Sequence, residues 1–285
     1  LVPENATLEQ IESARARLGL DKPLPVQYGI FIRDVLHGNF GKSYIYGKPA
    51  MDLIFERMPA TLELVAVAAC LVLCIAIPLG VYAGAYPKRA SSKLIMSGSI
   101  LGISLPSFWV GMMMIYIFAV VLRLLPASGR GNTVMVGNVA LSIFAPGGIR
   151  YVILPAITLA LTNVATMLRL TRSGILENMR QDYIKFARAK GVPAKSILFG
   201  HALKNALIPV VTIFGMDLGN MIAFTTITET IFAWPGMGKL LIDAINKSDR
   251  PIIVAYLMAA ACMFVVLNFI VDILYTLIDP RIELR

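Results

Sequence analysis

Apolar positions in this chain gather into five long runs, residues 62–86, 94–125, 151–170, 203–226 and 251–278, separated by short polar connections. At about 1.5 Å of rise per residue, a helix of twenty residues crosses a hydrocarbon core of roughly 30 Å. Each run therefore predicts a transmembrane helix. Residues 1–58 follow another pattern. Thr7 and Gln10 fit a capping box, Leu8, Ile11, Ala14 and Leu18 fall at helical spacing, and Gly19 stops the turn. Pro23, Pro25, Gly38, Gly41, Gly47 and Pro49 then punctuate short elements. This predicts a small, partly helical cap ahead of the first span.

Within the runs, Pro78, Pro106, Pro155 and Pro209 remove ladder hydrogen bonds, which membranes tolerate where neighbours or a water-lined cavity satisfy the freed carbonyls. The most broken stretch holds Ser104, Pro106 and Ser107, followed by Trp109 and Gly111. It predicts a kink, either for helix packing or lining a pathway. Trp234, Tyr82, Tyr86 and Tyr151 lie near run ends and are expected as interfacial anchors.

Composition agrees with an all-α polytopic membrane protein: 57% of residues are hydrophobic, 15% are charged and the mean hydropathy is +0.73. A net charge of +9 raises the question of nucleic acid, and its placement answers it. Residues 1–60 carry seven Lys/Arg and seven Asp/Glu. The connection 86–93 adds Lys88, Arg89 and Lys93, and residues 169–204 carry eight positives against Glu177 and Asp182. Those two connections hold the whole excess, as expected of cytoplasmic loops, and leave no basic surface for nucleic acid. The N-terminal segment is then expected outside and Arg285 inside. Exporting such a segment needs a preceding signal, yet the chain opens at Leu1 without an apolar leader. A sixth, N-terminal span missing from this chain is the expectation.

Cys70, Cys74 and Cys262 fall inside runs and read as small buried hydrophobes, and His37 and His201 have no metal-ligand spacing, so neither a disulfide framework nor a metal site is expected. The acids read as deep in the runs are Asp217 and Asp272. A central acid faces the bundle interior or a cavity. Asp217, with Asn220 beside it, is therefore a candidate for the translocation path, as are Ser104 and Pro106.

The most informative stretch is MRQDYIKFARAKGVPAKSILFGHALKNALIP, residues 179–209. Asp182 is placed to cap a helix and Gly191 to end it in the left-handed conformation, leaving about eight helical residues, too few to be stable in water alone. Something should hold this helix. Ala187 and Ala189 permit close backbone approach, and Lys185, Arg188 and Lys190 form a charged rim. The plainer alternative is a solvated basic loop that only obeys the topology rule.

This run resembles the cytoplasmic coupling motif, or EAA loop, of binding-protein-dependent ABC importer permeases in the branch that carries peptides and nickel. The correspondence rests on Asp182 and Tyr183, on ARAKG at 187–191, on HALKN at 201–205, and on Ile208 and Pro209. Lys185, Phe186 and Ala187 stand where the wider motif has Glu-Ala-Ala. The pieces ATLEL (60–64), SLPSFW (104–109), ETIFAWPGMGKLLIDAI (229–245) and NFIVDILYTLIDPR (268–281) resemble the same branch, as do LGLDKPLPVQY and GNFGKS nearer the start.

The resemblance implies a type I ABC importer permease fold, with residues 1–58 extracytoplasmic, 59–278 the transmembrane domain, 171–204 its cytoplasmic coupling loop and 279–285 a cytoplasmic tail. It implies a bacterial inner-membrane permease that forms half of a path for di- or oligopeptides, with nickel chelates or glutathione as alternative cargo. Implied partners are a second homologous permease, two cytoplasmic ATPases that use ATP and Mg, and an extracytoplasmic binding protein. The implied ATPase-coupling residues are Asp182, Tyr183, Ala187, Arg188, Ala189 and Gly191. In family members Asp272 is part of the C-terminal pattern, whereas an uncharged residue is common at the position of Asp217.

No cofactor or catalytic residue is expected in this chain. The run ending Gly41–Lys42–Ser43 has Leu36 where a P-loop has its first glycine, and Gly236–Met237–Gly238–Lys239 lacks the Ser/Thr. A secondary transporter would need ion-coupling residues and usually a repeat, and a membrane hydrolase would need a nucleophile and base at one depth; neither constellation is found.

Overall fold

The structure is a computed structural model that describes residues 7, 9, 12 and 21–278, leaving aside the side chains of 272 and 274–278. Its elements are α1 (Leu24–Leu36), α2 (Ala50–Ala85), α3 (Ala90–Ser104) and α4 (Ser107–Met114), which runs on as a π-helix over Ile115–Val121. A short hairpin follows, β1 (Val134–Val136) and β2 (Val139–Leu141), then α5 (Ile149–Asn178) and the eight-residue α6 (Asp182–Ala189). The chain ends in α7 (Ala194–Ile231), α8 (Met237–Asn246) and α9 (Arg250–Ile278). The capping box at Thr7 and Gln10 and the helix running to Leu18 lie outside the described residues, apart from Thr7, Glu9 and Glu12.

Among the described residues four helices are long and apolar enough to cross a membrane, or five if α3 and α4 count as one span. The kink expected within the run 94–125 is a sharp break, the two helices meeting at 105°. Pro106 supplies no N–H and pushes Leu105 into an extended conformation, φ −88° and ψ 130°. Pro78, Pro155 and Pro209 end nothing and sit inside continuous helices.

The first span corrects its prediction. α2 begins at Ala50, twelve residues before 62, and at about 1.5 Å per residue its 36 residues reach about 54 Å, well beyond a bilayer core. Asp52, Glu56 and Arg57 hide this early turn from hydropathy. It forms because Ala50, Leu53 and Ile54 pack against Met237, Leu240, Ile252 and Ala255 from α8 and α9.

The main core lies where α2, α5 and α7 meet: Leu64, Ala68 and Val72 against Val152, Ala156 and Met167, with Val210 and Met221 closing it. Small residues set the spacing. A Cβ on Gly80 would sit 2.6 Å from Thr171 Cβ, and one on Gly84 2.7 Å from Ile175 Cβ, so α2 meets α5 through a Gly-xxx-Gly face. A second such face, Gly215 and Gly219, lies against Val271 and Phe264 of α9.

Two expectations on burial are overturned. Cys70, Cys74 and Cys262 are exposed on the outside of the bundle, where a thiol suits lipid or a partner as well as it suits a core. Trp234 is no interfacial anchor: it is fully buried and its Nε1 donates to the Ala60 carbonyl at 2.9 Å.

Candidate functional site

Between the start of α4, the middle of α5 and α7 lies a cavity of about 340 Å³. Asp217 and Asn220 line it from α7, Thr162, Asn163 and Thr166 from α5, and Ser107 from α4. Asp217 points here because Gly215 and Gly219 hold the other face of the helix against α9 and two residues of helix turn the side chain by about 200°, while Asn220, three residues on, lies beside it. An acid at a span centre costs about 2.5–3.5 kcal/mol on insertion scales, which explains why Asp217 faces a polar cleft and not the outer surface. Ser104 and Pro106 do not line the cavity. Both are exposed, and Ser104 Oγ donates to its own helix at Ile100 O, 2.9 Å.

At one end of the bundle, α6 lies across the ends of α5 and α7. Its Ile184 is fully buried among Val81, Ile175, Ile197 and Ala206, and Ala187 packs partly against the same cluster. On the other face Tyr183, Phe186, Arg188 and Ala189 are exposed. Ala187 therefore serves packing within the chain, while Ala189 looks outward. Gly191 ends the helix as read from sequence: its φ is +78°, and Val192 N donates back to Ala187 O at 3.1 Å while Gly191 N donates to Arg188 O at 2.9 Å. Asp182 is not the cap. It is the first helical residue after Gln181, makes no capping bond, and pairs with Lys185 at 2.8 Å. That hydrogen bond and charge hold the Asp182 carboxyl below the usual carboxylate range.

Tyr183 ties α6 to both cavity-lining helices. Its hydroxyl donates to Asn178 Oδ1 on α5 at 2.8 Å and accepts from Asn205 Nδ2 on α7 at 3.0 Å. Of the three, only Tyr183 and Asn205 belong to the stretch whose motif is legible, and their meeting across twenty-two positions was not.

The opposite end, which carries the hairpin and α8, holds buried acids that sequence reasoning missed. Glu63 accepts from Arg130 through Nε at 2.9 Å and through Nη2, and from the Ser142 and Ile143 amides at 2.7 and 2.6 Å. Glu229 accepts from Thr61 Oγ1 at 2.6 Å and from Lys239 N at 2.9 Å, so its carboxylate caps the first turn of α8 from outside that helix. Thr61 Oγ1 in turn accepts from Met237 N at 2.9 Å. Any side chain on Gly236 would collide with the Glu229 carboxylate, which accounts for the glycine in WPGMG. Asp249, fully buried, accepts from Ser43 Oγ and the Tyr44 amide and fastens residues 43–45 to the start of α9. Asp217 and Asp272 are thus not the only acids inside the helices of the spans; the side chain of Asp272 lies outside the described set. Among the described residues no three His, Cys, Asp or Glu side chains are grouped to hold a metal ion.

A family profile described as "Binding-protein-dependent transport system inner membrane component" matches residues 76–284. The "Dipeptide transport system permease protein DppB" of Alkalihalophilus pseudofirmus is 37% identical, covering 99% of this chain and 89% of the relative. The "Oligopeptide transport system permease protein AppB" of Bacillus subtilis is 40% identical, covering 94% and 83%. Among solved structures, one described as inward facing conformations of the MetNI methionine ABC transporter superposes with a TM-score of 0.61 over 80% of this chain and 97% of that chain. At 16% identity this likeness concerns the fold.

Proposed function

The chain belongs to the family of binding-protein-dependent transport system inner membrane components, and from that premise we propose that it forms half of a path importing di- and oligopeptides. As a member of that family it is the membrane-embedded permease of a bacterial ABC transporter, not an enzyme, in a system that includes ATPase and binding-protein partners. The finer reading adds a second, homologous permease, two ATP- and Mg-using subunits on the α6 side, and a binding protein docking over the hairpin end. The N-terminal segment lies outside and the C-terminus inside, as the basic connections 86–93 and 169–204 argue.

One observation carries the reading: the short helix α6 is pinned through Tyr183 to both helices, α5 and α7, that wall the polar cavity. A partner gripping the exposed Tyr183, Phe186 and Ala189 face would move those walls as rigid bodies. The peptide cargo is supported by the names of relatives that align with nearly the whole chain.

The complex, reconstituted with its partner permease, ATPases and binding protein, is expected to take up radiolabelled Ala-Ala only with ATP and Mg on the ATPase side. Uptake of a nickel–histidine chelate or of glutathione, with none of Ala-Ala, would remove the peptide assignment. Uptake driven by an ion gradient without ATP would remove the importer reading. Phe186→Asp should abolish ATPase co-purification while the permease still accumulates, and retention of the ATPases would unseat α6 as their dock. For sidedness, with Cys70, Cys74 and Cys262 replaced, a cysteine at position 47 should react with an impermeant thiol reagent from outside and one at position 196 only from inside.

A further inference from the structure

The α5 wall of the α4–α5–α7 cavity offers mainly hydrogen-bond acceptors. On α5, Thr166 Oγ1 donates to Thr162 O at 3.2 Å, Thr158 Oγ1 to Leu154 O at 2.9 Å, and Asn163 Nδ2 to Leu159 O at 3.4 Å. A hydroxyl has one proton, so both threonine oxygens, their protons turned to their own helix, are left as acceptors, and Asn163 retains its carbonyl oxygen. Facing them is Asp217, an acceptor when ionised. No Lys, Arg or His lines the cavity, and among the described residues no cation pairs with Asp217. Glu63 at the hairpin end differs, since it has Arg130 as a cationic partner, and Glu229 is met by Thr61 and the start of α8.

Acceptors on α5 facing a carboxylate whose hydrogen-bond neighbour is Asn220 and which has no cationic partner among the described residues are complementary to a compact cation with several donors. A protonated amine offers three N–H donors and one positive charge. We infer that this cavity is a subsite for the protonated amino group of the transported molecule, with Asp217 as the charge partner and Thr166 and Asn163 as further acceptors. The inference rests on the peptide reading and deepens it: the amino terminus of a peptide is the end this subunit takes, and the carboxylate end falls to the rest of the path. Asp217 and Asn220 stand on the helix that Tyr183 ties to α6 through Asn205, so movement of α6 would reshape this subsite as the path opens.

The test separates this subsite from the selectivity of the binding protein. The assembled permease–ATPase complex, in nanodiscs without binding protein, is titrated with radiolabelled Ala-Ala and with N-acetyl-Ala-Ala, which keeps the carboxylate and removes the ammonium. Wild type should bind the free amine about tenfold or more tightly than the acetylated form, as a lost charge-assisted hydrogen bond predicts. Asp217→Asn should erase that preference by weakening only the free amine, and Asp217→Glu should retain most of it. Co-purification of the ATPases checks that each variant is assembled. Equal binding of the two probes by wild type, a preference that survives Asp217→Asn, or no binding of either would overturn the subsite. Uptake of Ala-Ala by the complete reconstituted system is read in parallel: if it proceeds while the preference is missing, the amine subsite falls and the peptide importer stands.

Discussion

At the hairpin end Glu63, Glu229 and Asp249 are 5%, 0% and 0% exposed, and each carboxylate is met by two or more donors, including some far away in sequence. At the α6 end the Lys185–Asp182 pair has side chains 67% and 96% exposed, and Ile184 is the buried residue of its helix. Burying a charge costs several kcal/mol unless it is paired and hydrogen-bonded, so a buried and fully met carboxylate tolerates one arrangement of its neighbours. An exposed pair is screened by water, contributes little and can be lost and remade. One end is thus fixed by interactions that do not survive displacement, whereas the other is held by interactions cheap enough for a partner to rework.

The sharpest way to break this contrast is Glu229→Ala. It orphans the Thr61 hydroxyl and the first turn of α8 in a dry site, and a loss of about 3–5 kcal/mol is expected, seen as a large fall in thermal midpoint in detergent. Glu229→Gln keeps an acceptor and should lose less. A melting curve unchanged in Glu229→Ala would remove the locked end. Arg130→Ala comes next: Glu63 keeps the Ser142 and Ile143 amides but loses its cation, so about 2–3 kcal/mol should go. The same measurement reads it, and the β1–β2 connection should become accessible to protease.

At the other end Tyr183→Phe removes two hydrogen bonds to half-exposed partners, for about 1 kcal/mol of stability. Its larger effect is expected in function, with ATP-dependent uptake falling severalfold while the ATPases still co-purify. Normal uptake would show that α6 moves the walls without this clamp. The smallest change is Lys185→Ala, for which no shift in melting is expected. Asp182 should then titrate nearer the usual carboxylate range by NMR. The sign follows from its depressed value: whatever the pair contributes is present above the ordinary carboxylate pKa and is lost as pH falls through the lowered one.

Hydropathy revealed the spans because lipid imposes one requirement over some twenty consecutive residues. It placed the start of α2 too late because Leu53 and Ile54 are buried by protein, and the intervening Asp52, Glu56 and Arg57 dilute the signal. Gly191 was legible from sequence because a left-handed terminus selects glycine locally. The hairpin carried a signal that was passed over, Gly137–Asn138 between valine-rich triplets, with φ +62° at Gly137. Glu63 and Glu229 were quoted within motifs but given no role. Their side-chain donors lie 67 to 168 residues away and no local pattern announces such a meeting. Asp217 was found because an acid amid apolar residues stands out, but the acceptor character of its cavity depends on where the hydroxyl protons of α5 go, which only the fold decides.

The long reach of the buried carboxylates also bears on how the protein is made. Thr61 and Glu229 are 168 positions apart, and Ser43 and Asp249 are 206 apart. At a synthesis rate of about 5–20 residues per second, the first span waits roughly 8–34 s for Glu229 to leave the ribosome. During that interval Glu63 also enters the insertion machinery before Arg130 exists. Glu63 gains Arg130 and the Ser142 and Ile143 amides midway through synthesis, but Thr61 waits for Glu229 until the last third is translated, and a prematurely terminated product lacks that partner within its first span. Thr61 and Ser43 are satisfied only when the segments carrying Glu229 and Asp249 arrive.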